Sequence, residues 1–312
     1  MTVLPPAATK ASHKGKHRGA DGGGRSAAIF LVPFFVLFAL VMAAPMVYAV
    51  INSLFAIKRD GLGFGGATQT FVGLENYARV FSTPSFLQGF GRIGLYILGY
   101  VPLMIGAALL FALLLDATVA RAKRLFQVLL FMPHAVPGVI AALIWAYLYT
   151  PGLSPIVKAA AAGGIELQFF SAHMAIPAII NIGVWEWTGY NVVIFFAALQ
   201  AVSGEVLEAA RIDGAGELRT SISIKLPSIL PSLYVVALFT IIGTLQLFTE
   251  PYILKNAGSA MPSTFVPNMW IYDTAFQQHN LNLAAAGSIV LAVVAAILAL
   301  IVNRISEKVN EA

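Results

Sequence analysis

Residues 203–227 read SGEVLEAARIDGAGELRTSISIKLP, from Ser203 to Pro227. They form the longest polar-rich segment between two apolar runs in the second half of the chain. The stretch opens like a helix. Ser203 can cap, Glu205 stands in the first turn where a carboxylate favours the positive end of the macrodipole, and Glu208, Ala209 and Ala210 are good helix formers. The alanines leave the helix surface thin. Gly214 and Gly216 end it, because glycine takes the left-handed conformation that stops a helix. A second helix is predicted over 217–226, where Leu218, Ile222 and Leu226 fall at i, i+4 and i+8 and share one face. Pro227 suits the first turn of the next helix. The segment therefore reads as two short helices bent at Gly214 and presented at a membrane surface.

The flanking sequence supplies the membrane. Of 312 residues, 59% are hydrophobic and 11% charged, with a mean hydropathy of +0.82. A soluble domain carries about 25% charged residues. Six apolar runs, at 27–51, 93–115, 126–149, 176–202, 228–250 and 283–302, each approach the ~20 residues that a bilayer core requires. The expected fold is all-α: a six-helix transmembrane domain over 27–302 between a basic tail (1–26) and a short C-terminal tail (303–312). Pro33, Pro45, Pro102, Pro133, Pro137, Pro177 and Pro231 lie in or beside these runs, which membrane helices tolerate where neighbours satisfy the freed carbonyls. The first run is too long for the apolar core of a signal peptide, so an uncleaved span is preferred.

Charge sets the orientation. Thirteen of the nineteen Lys and Arg residues fall in the N-terminal tail, around Arg121, in 203–227 and near the C-terminus. The other six are Lys58, Arg59, Arg79, Arg92, Lys158 and Lys255. The excess places both termini and 203–227 in the cytoplasm. Residues 1–26, poor in large apolar side chains, are expected to be disordered, their cations facing anionic lipid rather than nucleic acid. Gly22-Gly23-Gly24-Arg25-Ser26 lacks the spacing of a phosphate loop. There is no cysteine, and the five histidines are scattered, so neither a disulfide framework nor a metal site is expected. No Walker motif, kinase loop or nucleophile elbow occurs, so the chain reads as a transport subunit and not an enzyme.

Glu208-Ala209-Ala210, three residues, Gly214, nine residues, Ile224, one residue, Leu226-Pro227 resembles the EAA loop of ABC importer permeases at each defining position. The continuation Ile212-Asp213-Gly214-Ala215 is similar to the carbohydrate-uptake branch, the permeases of maltose and glycerol-3-phosphate type systems. Phe71 to Tyr77, Phe131 to Trp145, and Trp185 to Asn191 followed by Ala197 to Gln200 resemble other parts of that family. Lys255-Asn256-Ala257-Gly258-Ser259 departs from its usual Gly-Gly-Pro-type turn. The resemblance implies a type I-like importer permease of the bacterial cytoplasmic membrane. Its coupling residues would be Glu208, Ala209, Ala210, Asp213, Gly214, Ile224, Leu226 and Pro227, docking on a cytoplasmic ATPase subunit. It implies as partners a second, different permease, two ATPases and an extracytoplasmic solute-binding protein. No cofactor is expected on this chain, and ATP and Mg are expected on the ATPases. For Glu208 the plain alternative is a solvated helix charge.

A substrate path is expected at Glu186, Trp187, Tyr190, Asn191, Gln246 and Glu250. Ionisable groups within spans are costly and face cavities. Glu186 and Tyr190 are i, i+4, as are Trp187 and Asn191, and Gly243, Gln246 and Glu250 read as i, i+3, i+7 on the fifth span. Aromatic, amide and carboxylate groups orient sugar hydroxyls. Polar glue between helices explains the same residues without a ligand, and Glu250 also suits an interface. His134, between two prolines, has no partnered acid near it in sequence and reads as packed or cavity-facing. The alternatives to a sugar permease are an importer of another solute, such as glycerol-3-phosphate or a polyamine, an ion-coupled secondary transporter, or a membrane scaffold. A secondary transporter predicts internal repeats, which the sequence lacks.

Overall fold

The computed structural model describes residues 21–59, 67–117 and 121–310, which are almost entirely helical. The chain divides after Tyr48 into two compact units. In the first, α1 (Asp21–Phe38) and a π-helical turn (Ala39–Ala43) lead into α2 (Ala44–Ser53). Phe30, Phe34, Val41 and Met46 are all exposed along it. A helix that is apolar on every side belongs in lipid or a large core. The helix begins at Asp21, so the end of the stretch read as a disordered tail is helical. The rest of that tail lies outside the described residues.

The second unit starts with a departure from the all-α expectation. β1 (Phe55–Arg59) pairs antiparallel with β2 (Ala67–Phe71), Phe55 opposite Phe71. Their rings meet edge-on at 5.5 Å, the kind of aromatic cross-strand pair that stabilises a hairpin. α3 (Glu75–Ser82) then lies with Asn76 and Val80 buried. Asn76 Nδ2 donates to the carbonyls of Ser53 and Phe55, each at 2.8 Å, and the Tyr77 and Ser53 hydroxyls are 2.6 Å apart. Phe81, one turn after Tyr77, is exposed.

The remaining helices are α4 (Pro84–Asp116), α5 (Lys123–Phe131), α6 (Gly138–Tyr149), α7 (Pro155–Ala162), α8 (Ala175–Gln200), α9 (Gly204–Ile212), α10 (Glu217–Thr220), α11 (Leu226–Ser228), α12 (Leu230–Thr244), α13 (Thr249–Asn256), α14 (Pro267–Tyr272) and α15 (Leu281–Asn310). Among the described residues four helical stretches are long and apolar enough to cross a bilayer: Ala28–Ser53, Pro84–Asp116, Ala172–Gln200 and Leu281–Arg304. Two broken pairs qualify only together, Lys123–Ala135 with Gly138–Tyr149, bent by 92°, and Glu217–Ser228 with Leu230–Thr244, bent by 63°. Counting each pair as one crossing gives six. The breaks fall at Pro133, Pro137 and Pro231, where the ring removes a helical donor.

Three boundaries differ from the sequence reading. The second span starts at Pro84, well before Ile93, and takes in Arg92. That guanidinium donates to the Phe265 carbonyl at 2.9 Å and lies 5.0 Å above the Phe265 ring. The fifth span stops at Thr244, so Glu250 belongs to α13. The last helix runs to Asn310 without a break at 303.

α4 packs along α8 more extensively than any other pair. Tyr96, Tyr100 and Met104 meet Ile179 and Ile182 in one core, while Ala108, Ala112 and Leu115 meet Val192, Phe195 and Leu199 in a second. A third core joins Val80 and Phe86 to Trp270, Ala286 and Val290. A wall of α4 and α8 results, with α12 and α13 packed against it.

Candidate functional site

The structure holds residues 203–227 and the polar membrane residues at two separate places. At the first, α9 ends at Ile212 and Gly214 takes φ +77°. The Ala215 amide donates to the Ala210 carbonyl at 2.9 Å and the Gly214 amide to the Arg211 carbonyl at 3.1 Å. These two bonds are a Schellman closure, which needs a left-handed residue at the position of Gly214. The departure at 255–259 closes α13 by the same device, with Gly258 at φ +105°. The expected bend is therefore present, made by two backbone bonds.

Other details of 203–227 differ. Ser203 occupies the cap position, but its side chain bonds no amide. Ala209 is exposed and Ala210 buried, so the two alanines do not form one thin face. Ala209 is offered outward with Glu208, while Ala210 seats the helix. The second helix is interrupted by a π-helical turn, Ser221–Lys225, before α11. An extra residue in the turn rotates every later side chain about the axis, which breaks the Leu218, Ile222 and Leu226 stripe. Leu218 and Ile222 are exposed and Leu226 half-buried. With Val206 and Ile212 they leave a ridge of apolar side chains in the open. Asp213 and Pro227 are exposed, and Ile224 is half-buried.

The second place is a cavity of about 630 Å³ between α4, α8, α12 and the start of α13. Trp187, Tyr190, Asn191, Gln246 and Glu250 line it. They do so for a different reason than the one read from sequence. Gln246 lies beyond the end of α12 and Glu250 opens α13, so the pair lies across a helix break and not along one helical stripe. The amides of Leu245, Gln246 and Leu247 bond back to the carbonyls of Ile242, Gly243 and Thr244, tightening the chain out of the helix at this point. Glu186 is not among the lining residues. Its side chain is buried, with Oε1 3.4 Å from where a Cβ on Gly138 would sit at the start of α6.

Lining residues that the sequence reading passed over include Tyr96, Tyr100, Phe239, Thr240, Thr244 and Phe248. Tyr96 and Tyr100 are stacked at 4.9 Å with their planes 14° apart. Gly183 on α8 makes room for them, since a Cβ there would come 2.6 Å from Tyr96 Oη. Their i, i+4 spacing on the second span was available as a signal. His134 is packed: its ring lies 4.6 Å from Trp187 and 4.7 Å from Tyr190, backing both aromatics. Asn191 Nδ2 donates to the Trp187 carbonyl at 2.9 Å. Among the described residues lining the cavity none is Lys, Arg or His. A more open hollow of about 410 Å³ shares Gln246 and Phe248 with it.

A polytopic bundle with broken spans, a bent surface segment and an internal aromatic cavity defines a membrane permease. The chain belongs to the family of binding-protein-dependent transport system inner membrane components, whose model matches residues 26–311. It is therefore a multi-pass inner-membrane component of an ABC importer, not itself catalytic. The diacetylchitobiose uptake system permease protein NgcF of Streptomyces coelicolor is 30% identical over 93% of this chain and 87% of its own length. The sn-glycerol-3-phosphate transport system permease protein UgpA of Pectobacterium atrosepticum is 32% identical over 72% of this chain and 77% of its own. In fold, the chain is similar to a crystal structure of a bacterial ABC transporter involved in the import of alginate, with a TM-score of 0.76 and 22% identity over 92% of this chain and 96% of that one.

Proposed function

We propose that this permease passes a neutral sugar or short oligosaccharide inward. The cavity lining carries the reading. Flat faces from Tyr96, Tyr100 and Trp187 suit the apolar faces of pyranose rings, and Asn191, Gln246 and Glu250 can orient hydroxyls. A phosphate ester would meet the Glu250 carboxylate with no lining cation to balance it, an arrangement that disfavours anions. The diacetylchitobiose relative supports a sugar. The glycerol-3-phosphate relative supplies the competing reading.

In this proposal both termini and residues 203–227 face the cytoplasm. Glu208, Ala209, Asp213 and the exposed apolar ridge dock on an ATPase subunit, and Ala210, Gly214, Ile224, Leu226 and Pro227 fix the shape that docks. Two ATPases bind ATP and Mg, a second, different permease completes the path, and an extracytoplasmic binding protein delivers the solute. Reporter fusions at Gly214 and the C-terminus should read cytoplasmic, and fusions near Gly66 and Ser263 external. The test of substrate is uptake into vesicles holding the complex copurified in mild detergent with its binding protein. Labelled di- or trisaccharide should accumulate on ATP addition. Accumulation of glycerol-3-phosphate in place of sugars would overturn the sugar reading and leave the family assignment intact.

A further inference from the structure

Position 225 is the one residue between Ile224 and Leu226-Pro227 that the motif leaves unspecified. In this chain it is Lys225, the last residue of the π-helical turn. Its ammonium is paired with Asp116 Oδ2, and the other carboxylate oxygen, Oδ1, accepts from Gln200 Nε2 at 2.6 Å. The Lys225 and Asp116 side chains are only 14% and 11% exposed. Asp116 is the last residue of α4 and Gln200 the last of α8. One carboxylate thus ties together the ends of the two main wall helices and the segment that contains the coupling motif.

The placement is physically demanding. A carboxylate at the C-terminal end of a long helix sits against the negative end of the macrodipole, and Asp116 stands at the end of a 33-residue helix. α8 brings a second negative end beside it through Gln200. A cation there answers both termini and the carboxylate. The π-helical turn adds a residue to the path between Gly216 and Lys225, changing the direction in which Lys225 leaves the backbone. Sheltered ion pairs add little net stability, but they fix register, because any other pairing leaves a desolvated charge unmatched.

We infer that Asp116, Lys225 and Gln200 form a strut that makes residues 203–227 move together with the inner ends of α4 and α8. These are the helices that present Tyr96, Tyr100, Trp187 and Asn191 to the cavity. The ion pair positions the coupling segment without touching ATPase or solute. The inference rests on the transport reading above.

The test uses the whole complex in vesicles with its binding protein and measures ATP hydrolysis with and without the transported sugar. Asp116→Asn combined with Lys225→Met removes both charges at nearly constant volume and leaves no unmatched charge. This double variant should reach the membrane and retain the ATPase, while sugar stimulation of hydrolysis falls roughly tenfold, inside the range usual for coupling between sites. The exchanged pair, Asp116→Lys with Lys225→Asp, should recover more than half of the lost stimulation. Each reversed single variant should recover none. Wild-type stimulation in the neutral double variant would overturn the strut. So would loss of ATPase retention in it, since the pair would then be a brace of the fold, or an exchanged pair no better than the singles. If the wild-type complex itself showed no sugar stimulation, the sugar reading would fail instead, and the same variants would be scored on the importer's true solute.

Discussion

Residues 203–227 and the cavity behind α4 and α8 gather their side chains in opposite ways. In residues 203–227, neighbours in sequence are neighbours in space, and two backbone bonds around Gly214 set the shape. In the cavity, Tyr96, Trp187, Phe239 and Glu250 come from four helices, and no local rule relates them. The first is a site of backbone conformation and the second a site of packing. The segment should break when a dihedral angle becomes unavailable. The cavity should break when two helices are pushed apart.

Gly214→Val tests the local side and carries the largest expected effect. The space around Gly214 is open, so the substitution meets no neighbour, and all its cost is in φ +77°. A left-handed residue costs roughly 1–2 kcal/mol and more when β-branched. The bend should shift, and substrate-stimulated ATP hydrolysis in vesicles should fall by about tenfold or more. Gly214→Asn, which tolerates this region, should fall much less. Equal activity of the two variants would show that the dihedral angle is not what matters. Next to this bend, Ala209→Trp should leave membrane levels unchanged and release the ATPase on purification. Ala210→Trp, at a buried position, should instead lower the amount of folded permease. If both tryptophans acted alike, the division between an offered and a seated alanine would be wrong.

For the packed side, Gly183→Ala is the next largest. Its methyl group would come 2.6 Å from Tyr96 Oη and 2.9 Å from the Tyr100 ring. Overpacking of this kind costs about 1–3 kcal/mol. Thermal stability and sugar uptake should fall together, while ATPase retention stays at the wild-type level. The smallest effect is expected from Gln246→Leu and Asn191→Leu, which keep the volume and remove a hydroxyl partner. Uptake should drop several-fold with assembly unchanged. Normal uptake by both variants, with the same preference among sugars, would assign these amides to helix packing.

The same contrast governs what was legible in the sequence. Gly214 could be read because a left-handed closure has few other solutions. Six spans could be counted because apolar length is a local property. The π-helical turn at Ser221–Lys225 could not, because its residues carry no local signal for an inserted residue, and the partner that Lys225 meets, Asp116, lies 109 residues away. The end of α12 was missed because the apolar run continues through Leu245, Leu247 and Phe248 while the backbone leaves the helix. Glu186 was placed with Tyr190 by correct helical spacing, yet spacing does not say which face meets α6 and which the cavity. Tyr96 and Tyr100 carried the same i, i+4 signal as the residues chosen, and were passed over because a lipid-facing pair looks identical in one dimension.

The hairpin of β1 and β2 bears on the order in which the molecule is made. Asn282 Nδ2, in the first turn of α15, donates to the Asn52 carbonyl at 2.9 Å across 230 residues. Asn76 holds the neighbouring carbonyls of Ser53 and Phe55 from a helix that leaves the ribosome early. The root of the hairpin is therefore held from two sides, one near in sequence and one 230 residues away. Closing so long a loop late makes that step slow relative to the local ones. Nascent chains halted before Leu281 should be cut by added protease within β1 or β2, and chains that include α15 should resist. One amide of α15 thus ties the root of the hairpin to a helix 230 residues further along the chain.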